Sequence, residues 1–142
     1  MFDSKEQQLW EASTSGNLDL VKHLANDPAV NVNWQDPELN RTAFYRACGH
    51  NRAAIVVLLL KNHRVDVTKS TNEEATPLFI ACQGGHKEVV SLLLKDPRIE
   101  VSVRDRNEVT PFFIACQEGD EKVASRLLAD KRIDVNQQQS EG

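Results

Sequence analysis

The chain lacks any long run of basic residues. Across its 142 residues, 17 lysines and arginines face 21 aspartates and glutamates, a formal charge of -4. A protein that grips a phosphate backbone carries a basic stripe, so nucleic acid is not expected as a partner. No apolar run approaches the roughly 20 residues of a membrane-spanning helix. The opening MFDSKEQQLW has neither the basic end nor the apolar stretch of a secretory signal. Together these absences predict a cytoplasmic or otherwise intracellular protein with no membrane partner. Cysteine is scarce, and its odd number, three, argues against a disulfide framework. His23, His50, His63 and His86 fall at unrelated places and form no zinc-type spacing with each other or with cysteine. Neither G-x-S-x-G nor a glycine-rich phosphate loop occurs. No catalytic residue, metal or cofactor is therefore expected.

What the sequence does contain is a period. Thr42, Thr76 and Thr110 are spaced by 34 residues, as are Ala47, Ala81 and Ala115, Cys48, Cys82 and Cys116, and Leu59, Leu93 and Leu127. An earlier, weaker copy aligns Leu9, Trp10, Ala12, Gly16, Val21 and Leu24 with Leu78, Phe79, Ala81, Gly85, Val90 and Leu93. It is one residue longer, and the extra residue falls in WQDPELNR, a polar segment where a loop absorbs an insertion cheaply. The copies run over residues 7–41, 42–75, 76–109 and 110–142 of a single domain spanning 1–142, the first and last cap-like.

Within one copy, Thr76 is placed to cap a helix with its hydroxyl and Pro77 to take the first helical position, where a missing N–H is harmless. The helix through LFIACQ stops at Gly85, with Asn51 at the same place one copy earlier; both tolerate positive φ. In KEVVSLLLK, Val89, Val90, Leu93 and Leu94 form one stripe of a second helix. Helices of two to three turns are marginal alone in water, so each copy is built to stack on its neighbours. In such a stack equivalent atoms lie about 8 to 10 Å apart, too far for disulfides. Cys48, Cys82 and Cys116 are read as packing residues.

The T-P-L-x-x-A start, the following G-H-x-E-V-V-x-L-L-L and the D-V-N-like ending resemble the ankyrin repeat, over residues 7–142. The resemblance implies an all-α solenoid of stacked helix-turn-helix units joined by hairpin-like loops. Three departures stand out. The family's histidine after T-P-L is replaced by Trp10, Tyr45, Phe79 and Phe113, which predicts apolar stacking and less firmly pinned loops. Its glycine two residues before the threonine is replaced by Asn40, Glu74 and Glu108, which predicts loop tips unlike the usual hairpin. Glu11, His23 and Arg126 put polar groups where the middle copies have Ile80, Leu58 and Leu92, as terminal units require.

The resemblance further implies a non-catalytic interaction module that binds a protein or peptide in a concave groove of loops and first helices. Carried over one at a time, the groove positions are Trp34, Gln35 and Asp36 in the first loop, Lys69, Ser70 and Asn72 in the second, and Arg104 and Arg106 in the third. His50, Gln83, Gln117 and Glu118 come from the turns after the first helices. These residues differ between copies while the scaffold hardly does. Trp34 is the strongest candidate, since tryptophan often dominates binding energy; a lid over the apolar edge of the first copy is its alternative role. Asn136, in L-x5-D-V-N with Leu128, matches a pattern that asparaginyl hydroxylases recognise in some ankyrin arrays; the alternative is the asparagine that simply ends the unit. A monomer is expected. The competing function is a structural spacer, or a piece of a larger ankyrin-repeat protein whose activity lies in other domains.

Overall fold

A computed structural model describes residues 3–133, which form eight helices and no strand. The helices come in four antiparallel-type pairs: α1 (Lys5–Ser15) with α2 (Leu18–Ala25), α3 (Ala43–Gly49) with α4 (Ala53–Leu60), α5 (Pro77–Gln83) with α6 (Lys87–Leu94), and α7 (Pro111–Gln117) with α8 (Glu121–Leu128). The first helix of each pair packs on the first helix of the next, and the second on the second, giving an inner row and an outer row.

Each element follows from its caps. Thr42, Thr76 and Thr110 accept hydrogen bonds from the backbone N–H of Tyr45, Phe79 and Phe113, at 3.0, 3.1 and 3.1 Å, which fixes where the inner helices start. The reversal between helices needs one left-handed residue per pair. Gly16, Asn51, Gly85 and Gly119 supply it with φ of 92°, 59°, 68° and 74°. Ala47, Ala81 and Ala115 are fully buried on the inner row, small enough to let neighbouring helices close up. On the outer row Val56, Val90, Leu93 and Leu127 are fully buried as well. α4, AAIVVLLL, is apolar on every side; packing against α2 and α6 covers what a solitary helix would expose.

Three expectations need correction. The loop tips keep the left-handed residue although glycine is absent: Asn40, Glu74 and Glu108 have φ of 59°, 61° and 67°. Backbone pairs hold each tip closed, Asp36 N–H to Arg41 O, Thr71 N–H to Ala75 O and Asp105 N–H to Val109 O, at 3.1, 3.0 and 2.9 Å. The first of these spans one residue more than the others, and that is where the insertion sits. Nor are the loops weakly pinned. The Trp10 indole donates to Arg41 O at 3.0 Å, and neighbouring tips join through Asn72 N–H to Leu39 O and Arg106 N–H to Glu73 O, at 3.1 and 2.9 Å. Finally, Cys48 and Cys82 are buried but Cys116 is exposed, because no further helix pair covers α7 among the described residues.

Candidate functional site

The loop tips are organised by short polar side chains. Asp36 lies at 6% exposure, accepting from the backbone N–H groups of Glu38, Leu39 and Arg41 and from the Arg41 guanidinium at 3.1 Å. Burial pushes its carboxyl upward, but the Arg41 and backbone hydrogen bonds outweigh that and hold it down at about 2. Thr71 and Asp105 do the same work in the next two loops, accepting from Glu73 and Ala75 and from Asn107 and Val109.

Among the three loop tips and the inner helices α3 and α5 lies a recess of about 250 Å³. The buried Tyr45 and Phe79 and the more exposed Leu39 line it, with Arg41, Asn72, Glu73, Gln83 and Asp105. Burial pushes the Tyr45 phenol up to about 12, so it stays neutral at physiological pH. A larger recess of about 460 Å³ lies away from the loop tips, between α2 and α4, beside Lys61 and Arg64. It abuts helix C-termini whose carbonyls Arg64 already holds, so size does not recommend it as the site.

Of the groove candidates, the recess brings together Asn72 and Gln83, with Arg106 donating to the Asn72 carbonyl at its edge. Gln35 is half-buried, its amide donating to Asn40 O and Ser70 O at 2.8 and 3.0 Å, so it ties one loop to the next. Asp36 is taken up by its own loop. Arg104 pairs with Glu108 at 3.1 Å, and Arg106 with Glu73 at 3.7 Å. Trp34, Lys69 and Ser70 are half-buried beside the tips. His50, Gln117 and Glu118 are exposed at the ends of α3 and α7, outside the recess. Asn136 lies outside the described residues.

Sequence reasoning missed two arrangements. Trp10 is flanked by the guanidiniums of Arg41 and Arg46, 5.0 and 4.4 Å from its ring centre. Arg46 also donates to Thr14 at 2.9 Å, so this cluster locks the first pair to the second. The other arrangement repeats. Arg64, Arg98 and Arg132 reach back to the carbonyl of the last residue of the preceding outer helix, Ala25, Leu60 and Leu94, at 3.1, 2.8 and 2.6 Å. A cation there satisfies orphan carbonyls and suits the helix dipole. The signal was present: arginine recurs every 34 residues, and the first copy, with no helix pair before it among the described residues, has Ala29 instead.

A family model described as ankyrin repeats (3 copies) matches residues 9–105 and, in a second placement, 63–139. The chain belongs to the ankyrin-repeat family. The two overlapping matches take in nearly all of the described helix pairs. Ankyrin repeats are in general protein–protein interaction modules and typically not enzymes. No curated protein matches the chain. Among the described residues no helix is long and apolar enough to cross a membrane, and no group of three or more His, Cys, Asp or Glu side chains is placed to hold a metal ion. Burial pushes the Cys48 and Cys82 thiols up, away from the thiolate that sulfur chemistry needs.

Proposed function

We propose that this ankyrin array docks a partner protein or peptide on the face made by its loop tips and inner helices. One observation carries the reading. The residues at the ends of the inner helices change from pair to pair, Gly49 then Gln83 and Gln117 at one position and the exposed His50, Gly84 and Glu118 at the next, on inner helices whose buried positions repeat almost unchanged. Surface that varies on a scaffold that does not is what selection for a particular partner leaves behind. Thiols at two core positions suit a reducing, intracellular setting.

The test is capture from a lysate of the source cells by the immobilised chain, repeated with Gln83→Ala and Arg104→Ala. Retention of a defined protein by the parent chain, weakened in the variants while their circular dichroism is unchanged, is the expected outcome. Equal retention by all three chains moves the docking face elsewhere. A spacer is the second reading, favoured by the half-exposed Phe113 and Leu128 on α7 and α8, at 49% and 51%, a surface that another helix pair would cover. A spacer retains nothing specific.

A further inference from the structure

We infer that the recess among the loop tips receives a lysine or arginine side chain from a basic segment of the partner, an inference that rests on the docking reading above. Part of its lining is apolar and aromatic, the buried Tyr45 and Phe79 with the more exposed Leu39 beside them. A long methylene stem can lie along such a lining while its charged head stays near water, and a cation beside aromatic rings gains further attraction. Glu73 and Asp105 are among its lining residues; the exposed Glu73 carboxylate is shared only loosely with Arg106, at 3.7 Å, Asp105 keeps one oxygen outside its loop hydrogen bonds, and the Gln83 amide adds a carbonyl acceptor.

The charge around the recess selects the sign of the occupant. Across the three tips, residues 36–41, 71–75 and 104–109, six carboxylates face three guanidiniums, a net of -3 within a chain whose total is -4. Each guanidinium is already held by a loop carboxylate: Arg41 by Asp36 at 3.1 Å, Arg104 by Glu108 at 3.1 Å and Arg106 by Glu73 at 3.7 Å. An arriving acidic segment meets surplus negative charge and cations already engaged. A basic one meets complementary potential, which speeds encounter and excludes wrong partners. The recess is too small for a folded element and is open to solvent at the loop tips, which fits one side chain of an otherwise surface-bound segment.

The test pans a random-peptide phage library on the whole 142-residue chain, then measures the selected peptides by fluorescence anisotropy against the parent, Glu73→Gln and Gln83→Ala. Peptides enriched in lysine or arginine at one position, bound about fivefold more weakly by Glu73→Gln and weakened further by added salt, are the expected result. Selection of acidic or uncharged peptides that still lose affinity in Gln83→Ala overturns the basic occupant while sustaining the docking face. Basic peptides bound equally by all three chains overturn the recess as their site. Failure to select any peptide overturns the inference and the docking reading together.

Discussion

The two edges of the helix stack use the same device for different ends. At the edge where the outer helices finish, Arg64, Arg98 and Arg132 reach back to the preceding pair, one arginine per interface at a constant spacing. At the loop-tip edge one backbone tie repeats, Asn72 N–H to Leu39 O and Arg106 N–H to Glu73 O, but the side-chain ties between neighbouring pairs differ: the Trp10 indole to Arg41 O, the Gln35 amide to Ser70 O, the Arg106 guanidinium to Asn72 O. Repetition marks the first edge as scaffold. Variation of the side-chain ties at the second is what the proposed docking face leads one to expect. Both edges cross-link neighbouring pairs, so stability alone does not explain why only one of them varies.

Core truncation gives the largest expected effect and sets the scale for the rest. Leu93, fully buried in α6, is expected to cost about 3 kcal/mol on truncation to alanine, read as a lower midpoint in urea unfolding. Next comes the repeated edge. Arg64→Ala releases the carbonyl of Val30 and leaves that of Ala25 to Asn62 alone and that of Asp27 to the Val30 N–H alone, with an expected loss of about 2 kcal/mol. Arg64→Lys is expected to recover little, since an ammonium cannot reproduce the fork. A loss as small as that of an exposed alanine substitution would erase the distinction between the two edges.

The loop-tip edge is expected to show acid sensitivity. The Asp36 carboxyl titrates at about 2 in the folded chain, below its ordinary value of 3.8. Its contribution is therefore present above about pH 4 and is lost as pH falls toward 2, about 2 kcal/mol in all. Denaturant titrations at stepwise lower pH are expected to show a shallower decline for Asp36→Asn than for the parent chain.

A smaller effect separates the first pair from the rest. Ser13 occupies the position of Cys48 and Cys82, is fully buried, and has a hydroxyl with no hydrogen-bond partner. Ser13→Cys is expected to raise stability by about 1 kcal/mol, measured by the same unfolding curves. Smallest of all, Gln83→Ala and Glu73→Gln on the variable edge are expected to shift stability by less than about 0.5 kcal/mol.

Much of this architecture is legible in the sequence because it is local. A threonine, a proline and a left-handed glycine or asparagine define each inner helix from residues within one copy, and the structure places them there. The features that stayed hidden act between copies. Arg64 recurs with Arg98 and Arg132, but what it holds is visible only once α2 is seen ending beside it. Asp36 reads as an exposed loop acid, yet it is the buried centre around which its loop folds. Glu74 and Glu108 read as hairpin breakers, but neighbouring tips bonded through Arg106 and Glu73 hold them in the left-handed region. Cys116 reads like its buried counterparts, and its exposure depends on whether another helix pair covers α7 rather than on its own neighbours in sequence. The recess is likewise the product of three loops and two helices that no single copy contains.

The most direct test of the account is a titration of the isotopically labelled chain with a library-selected basic peptide, monitored through its backbone amide resonances. The account predicts shifts concentrated at the variable positions around the recess, Asn72, Gln83 and Arg106 with the neighbouring Gln35, and little change along α2, α4, α6 and α8. Shifts centred on the outer helices, or on Arg64, Arg98 and Arg132, would contradict it.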